Sequence, residues 1–158
     1  KKEAPLKPGD FVDEPYSSRP SFDRVTVRAN YLWNHFRYNG DSTYGDRALP
    51  GIPEHYIRAE LVYEHPCGFY VGPNIEYVPA GYAVDSMNTL FTDSYALFGA
   101  KMGWRSERGF SAYVEVKNLA DINYAATTGV IANAGGADAA QFSPGDGRAF
   151  YAGFEYRW

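Results

Sequence analysis

The sequence has a single cysteine, Cys67, so it can form neither an internal disulfide nor a cysteine-cluster metal site. It has no run of about 18 apolar residues, which excludes a membrane-spanning helix. The start, Lys1-Lys2-Glu3-Ala4-Pro5, lacks the apolar core of a signal peptide, so an exported form would be a processed or truncated one. Excess charge is also missing. The formal net charge is -4 and the basic residues are scattered, so nucleic acid is not expected as a partner. There is no internal repeat and no low-complexity tract. His35, His55 and His65 do not stand at metal-ligand spacing. No arrangement of Ser, His and acid singles out a nucleophile. Neither a resident metal or cofactor nor an enzyme is therefore expected. The Gly-rich stretch from Gly129 to Ala140 lacks the lysine and following helix of a phosphate cradle, and reads as a mobile loop tip.

What the sequence does have is aromatic residues. They make up 17% of the chain, with 14 Tyr and 10 Phe. A tyrosine suits a boundary between apolar and wet surroundings, because its ring is apolar and its hydroxyl wants a partner. Barrels in membranes set girdles of such residues at both interfaces. The mean hydropathy of -0.43 is compatible with this, because alternating lipid-facing and lumen-facing residues average out.

The period of the apolar residues points the same way. After an irregular leader from Lys1 to about Phe22, rich in Pro, Ser and charge, the chain alternates at period two from Arg24 to Tyr38. Val25, Val27, Ala29, Tyr31 and Trp33 take one side; Thr26, Arg28, Asn30, Leu32 and Asn34 take the other. Tyr56 to Glu64 sets Ile57, Ala59, Leu61 and Tyr63 against Arg58, Glu60, Val62 and Glu64. Phe69 to Val78 sets Phe69, Val71, Ile75 and Tyr77 against Tyr70, Asn74 and Glu76. Pro73 predicts a bulge or a missing ladder bond there. Tyr95 to Trp104 aligns Ala96, Phe98, Ala100, Met102 and Trp104. Beyond a tight Ser106-Glu107-Arg108-Gly109 turn, Phe110, Ala112, Val114 and Val116 oppose Ser111, Tyr113, Glu115 and Lys117. In the last segment, Ala149 to Trp158, Phe150, Ala152, Phe154, Tyr156 and Trp158 oppose Tyr151, Gly153, Glu155 and Arg157.

Segments of about ten residues suit tilted transmembrane strands, whereas strands of soluble sheets average about five to six. The connections alternate in length. Those at Pro66 to Gly68 and Arg105 to Gly109 are short. Those at Asn39 to Pro53, Pro79 to Thr92 and Ala120 to Gly147 are long. Outer-membrane barrels have short periplasmic turns and long extracellular loops, which places the start of the first strand and Trp158 on the periplasmic side. The fold class is thus all-β, with antiparallel transmembrane barrel strands. Six strands are fewer than the eight or so with which single-chain barrels begin, so residues 23–158 read as the C-terminal part of a larger barrel.

Several stretches resemble one family. Val114-Glu115-Val116-Lys117-Asn118-Leu119-Ala120-Asp121-Ile122-Asn123-Tyr124 is similar to the E-x-x-N-L-x-D-x-x-Y pattern near the end of TonB-dependent outer-membrane receptors. Phe142-Ser143-Pro144-Gly145-Asp146-Gly147-Arg148 through Trp158 resembles their closing segment, in which Pro-Gly-x-x-Arg leads into a last strand ending in an aromatic residue. Leu49-Pro50-Gly51-Ile52-Pro53-Glu54-His55 and the block from Tyr63 to Asn74 are also similar to such receptors. The resemblance implies a barrel of about 22 strands, of which this chain supplies about the last six. An N-terminal plug, lying outside this sequence, would fill that barrel. The receptor would import an iron-siderophore or a similar small ligand, energised by TonB through the plug. The implied partners are outer-membrane lipid, the remainder of the barrel and plug, the barrel-assembly machinery, TonB and a small-molecule ligand.

The same resemblance makes Phe154, Tyr156 and Trp158 a candidate signal for the barrel-assembly machinery, set against plain lipid-facing surface. Tyr44, Asp85, Met87, Asn88 and Asn123 fall in the long connections. They are candidate ligand contacts, set against ordinary solvated loop, because function concentrates in loops on a rigid scaffold. Two other readings compete. One is a small self-sufficient outer-membrane barrel, structural or lipid-modifying, which would need further strands before Asp23. The other is a soluble barrel of lipocalin type, which would turn its apolar residues inward.

Overall fold

In the computed structural model, which describes residues 20–138 and 141–158, the chain is all β. Residues 1–19, most of the expected leader, lie outside the described part. Strands β1 (Arg24–Trp33), β2 (His55–Glu64), β3 (Phe69–Val78), β4 (Tyr95–Arg105), β5 (Phe110–Lys117) and β8 (Ala149–Tyr156) form one antiparallel sheet in the order β1-β2-β3-β4-β5-β8. The short strands β6 (Ala125–Thr128) and β7 (Phe142–Pro144) pair separately inside the long connection before β8. That ribbon was not expected from the sequence. Its strands are too short to show a period. The Gly-rich tip it encloses is docked at Ile131, where the carbonyl takes the Ser86 N–H at 3.0 Å. The first strand also ends earlier than its alternation implied, at Trp33. There Asn34 turns both its backbone and side-chain N–H groups to the Glu54 and Pro53 carbonyls, at 2.8 and 3.0 Å.

The register carries the periodicity across the whole sheet. Val27 faces Leu61, Ile75 faces Phe98, Met102 faces Val114, and Val114 faces Ala152. One sheet face is therefore apolar from β1 to β8. The opposite face collects Arg28 beside Glu60, Arg58 beside Glu76, and Glu155 beside Ser111. The pairing of β2 with β3 lapses at Leu61 and Val62 opposite Pro73 and Gly72, then resumes without a shift. Pro73 has no N–H to give β2, so the gap is a missing rung and not a bulge. On its other edge Pro73 stays paired with Ala100.

Both tight turns have one design. His65 donates to Phe69 at 2.8 Å and Gly68 donates to His65, while Ser106 donates to Phe110 at 2.6 Å and Gly109 donates to Ser106. Each closes on a glycine in the left-handed region, Gly68 at φ 93° and Gly109 at φ 82°. At Gly109 a side chain is doubly excluded, since a Cβ would also run into the Arg157 carbonyl just past the end of β8.

Exposure is inverted relative to a soluble sheet. The apolar face is open, with Val27 at 68%, Phe150 at 70% and Phe154 at 83% relative exposure. The polar face is the more sheltered one through β2 to β4, where Glu64, Val62 and Tyr70 are buried. Most of the remaining buried side chains, among them Ala83, Val84, Asp85, Ser86 and Thr92, gather in the connection after β3, while Asn118 and Gln141 lie in the connection before β8. The tightest packing is thus in the loops at one end of the sheet.

Candidate functional site

Two regions can meet a ligand: the sheltered polar face and the loop cluster above it. On the polar face, charges are arranged as rungs. Arg28 pairs with Glu60 at 2.7 Å and Arg58 with Glu76 at 3.0 Å. Glu64 lies between two guanidinium groups, Arg24 at 2.6 Å and Arg105 at 3.0 Å. Arg105 in turn lies 4.1 Å above the Tyr70 ring, and Lys101 and Lys117 sit 4.9 and 5.1 Å from the Tyr113 and Tyr151 rings. Tyr70 and Tyr113 lie flat because glycines face them: any Cβ at Gly103 would strike Tyr70, and one at Gly153 would strike Tyr113. Two hollows of about 520 Å³ each open on this face. Glu60 and Asn74 line both. The lining mixes both signs of charge with tyrosine rings, a surface suited to polar ligands.

Three long connections stand at one end of the sheet: residues 34–54, 79–94 and 118–148. The middle one holds the other two. On one side Asn88 reads both backbone groups of Ala48, accepting from its N–H at 2.9 Å and donating to its carbonyl at 3.0 Å. Tyr38 donates to the Ser86 hydroxyl at 2.9 Å, and the Gly51 N–H donates to Ala83. On the other side Ser86 and Met87 donate to the Ile131 and Ala132 carbonyls. The Ala134 N–H reaches the Asp85 carboxylate at 3.1 Å.

Asp85 is fully buried. One carboxylate oxygen takes the Thr89 and Leu90 N–H groups at 2.8 and 2.9 Å, and the other takes the Thr89 hydroxyl and Ala134. Burial pushes its pKa up, but these donors outweigh burial and hold the carboxyl below the ordinary value. In the first connection the Tyr44 and Thr43 N–H groups likewise hold Asp41 low, and the exposed Glu54 is held low by its hydrogen bond to His35.

The candidate contacts therefore separate by position. Asp85 is interior and Asn88 half-buried, and the polar atoms of both are engaged by neighbouring loop backbone. Met87 is half-buried beside them, and Tyr44 is half-buried with its ring stacked 4.8 Å from Tyr38. Asn123 is exposed at the base of the third connection. Phe154 and Tyr156 project from the apolar face, and Trp158 is fully exposed. His35 engages Glu54 and Arg37, His55 engages Tyr31, and His65 accepts from the Cys67 N–H. Among the described residues no three His, Cys, Asp or Glu side chains gather to hold a metal.

The sequence marks the corner after β5 by its E-x-x-N-L-x-D-x-x-Y pattern but, apart from Asn123, assigns its residues no role. Asn118, at φ 48° and buried, donates to the Ile122 and Asp146 carbonyls and accepts from the Ile122 N–H. Asp121 accepts from the Arg148 N–H at 2.8 Å, and Tyr124 packs against Gly145. These bonds join the two ends of a long excursion, so β8 enters in register with β5. An Asn and an Asp three residues apart after a strand were the available signal.

A model of the family described as "TonB dependent receptor-like, beta-barrel" matches residues 12–119. Among solved structures, the closed form of the ferric-catecholate import receptor Fiu from K12 E. coli aligns at a TM-score of 0.60 and 23% identity. The alignment covers 84% of this chain and 18% of that one, so the chain spans under a fifth of that receptor's length. At this identity the likeness shows the fold. No curated protein matches the chain.

Proposed function

This chain belongs to the TonB-dependent receptor β-barrel family, and from that premise we propose that it is a wall segment of an outer-membrane import receptor for an iron-siderophore or a similar small ligand. The observation that carries the reading is the inverted sheet, in which the apolar face is open from β1 to β8 and the buried positions of β2 to β4 lie on the charged face. Each large apolar side chain gains about 1.5–3 kcal/mol by leaving water, and only an apolar surrounding supplies that gain to a whole sheet face. Lipid is that surrounding, and the polar face lines the lumen. The outer edges of β1 and β8 have no partner strand among the described residues. In a bilayer each unpaired backbone group would cost several kcal/mol, so the segment closes with further strands and encloses a plug.

In this receptor the ligand approaches through the three loops, where Tyr44, Met87 and Asn123 are accessible and Asp85 and Asn88 shape the surface around them. TonB acts through the plug. Phe154, Tyr156 and Trp158 supply the terminal aromatics by which the barrel-assembly machinery takes up the chain. A soluble lipocalin-type barrel is disfavoured because its apolar face would be the sheltered one.

The test uses the full-length receptor in its own membrane. Nitroxide labels at Val27 and Val114 should collide with oxygen dissolved in lipid, and labels at Thr26 and Glu115 with a water-soluble nickel complex. Cells carrying the receptor should take up a radiolabelled ferric catecholate only while TonB is present. Loss of the alternation would sink the membrane reading. Intact alternation with no uptake would leave the barrel standing and remove the ferric catecholate as its cargo.

A further inference from the structure

The loop cluster has an organisation that ligand binding alone does not require. Independent loops on a rigid wall are usually the least stable parts of a protein, with few buried contacts and solvent-facing backbone bonds. Here the connection after β3 contains fully buried residues, Val84 and Asp85, and its polar side chains bind backbone in both neighbouring loops. We propose that residues 79–94 are the keystone of a single three-loop unit, and that Asp85 and Asn88 are positioning residues which make the three loops open and close together.

The bonding pattern supports a joint unit over a stack of separate contacts. Asn88 stands in the left-handed region at φ 54°, a conformation that asparagine tolerates better than most residues. From there its amide matches both groups of one peptide, Ala48, as a strand neighbour would. The same side chain also donates to the Asp85 carbonyl at 3.1 Å. The residue that grips the first loop is thus bonded to the residue that grips the third. Asp85 and Ile131 form a parallel bridge, flanked by the Ser86 and Met87 bonds to Ile131 and Ala132. Thr89 extends the seam, donating to Asp85 and accepting from the Gly136 N–H. The first and third loops also abut directly, because a Cβ on Gly51 would come within 2.8 Å of a Val130 methyl.

The chemistry of Asp85 offers a selective way to cut one side. An asparagine there can keep its oxygen on the Thr89 and Leu90 N–H groups. Its NH2 group would then face the Thr89 hydroxyl, which can turn to accept, and the Ala134 N–H, which cannot. D85N therefore removes the Ala134 bond to the third loop, leaving those to Ile131, Ala132 and Gly136, and keeps the turn within the middle loop. N88A removes the paired bonds to Ala48 on the other side and leaves Tyr38–Ser86 and Gly51–Ala83. Among the described residues neither side chain hydrogen-bonds to the loop on the far side.

The experiment is hydrogen exchange by mass spectrometry on the full-length protein in detergent, with barrel integrity followed by heat-dependent mobility on gels. A joint unit predicts transmitted loosening. D85N should speed exchange in residues 34–54, which Asp85 does not contact, and N88A should speed it in residues 129–138. Loss of a hydrogen bond to a charged group corresponds to roughly tenfold or more in an opening equilibrium, and that is the expected change. If each substitution loosens only the loop it touches, the keystone is wrong and the loops are independent. If D85N fails to form a barrel, N88A alone decides, because the Asn88 side chain is only half-buried and its loss leaves no charged group without its partners. The readout needs no ligand, so it stands or falls apart from the import reading.

Discussion

Asp85 holds a negative charge inside the loop cluster through four uncharged donors. Its pKa is lower folded than unfolded, so the unfolded chain takes up a proton first as pH falls. The stability it adds is fully present above the ordinary carboxylate range and is lost as pH drops through the folded value. Spin labels at Ser42 and Ala137, in a chain whose Cys67 is replaced by serine, should keep one separation from pH 8 to pH 5. They should spread only below about pH 4. Spreading well above that range would take the effect away from Asp85. At the other end of the chain, replacing Phe154, Tyr156 and Trp158 together with alanine should lower the amount of folded receptor in outer membranes several-fold. Replacing Phe98, also exposed on the same face but far from the terminus, should change it little. Equal losses would assign the terminal aromatics to lipid contact alone.

At the level of elements, the strands were legible because one period runs through each of them. A half-buried strand with a greasy side declares its face in any ten residues, and the tight turns announce themselves by Pro66, Gly68 and Gly109. Three features were not legible. The end of β1 at Trp33 depends on Asn34 meeting Glu54, a partner twenty residues away that no local pattern specifies. The β6–β7 ribbon is held by strands of four and three residues, too short to carry a period. The rungs on the polar face depend on register across a 21-residue connection, so Arg24 and Glu64 could not be paired from the sequence. The candidate site was legible only as loops. That Asp85 turns inward while Tyr44 stays accessible is decided by tertiary packing. The tyrosines lying across glycines make a further prediction. G153A should destabilise the full-length barrel by about 1–3 kcal/mol, read from urea unfolding, because Tyr113 must leave its place. In a Y113A background the same change should cost much less, since the nearest atoms to the added Cβ all belong to that ring.

For the whole molecule the inverted sheet is the governing fact. A charge added to the open face should be far more costly than the same charge on the sheltered face. V27R should destabilise the barrel by about 2–4 kcal/mol if that residue sits near the bilayer midplane, and T26R, one residue away, should be close to neutral. Equal costs would mean that both faces meet water. The two regions around the lumen also differ in what fastens them. The wall is fastened by exposed guanidinium–carboxylate rungs such as Arg28–Glu60, with both side chains more than a third exposed. The loops are fastened by a buried carboxylate and by backbone groups, with no cation in the bonds of Asp85 or Asn88. Dissolved salt screens the first kind within about a nanometre and scarcely reaches the second. Brine should thus loosen the exposed rungs of the sheet while the joined loops above them keep their shape.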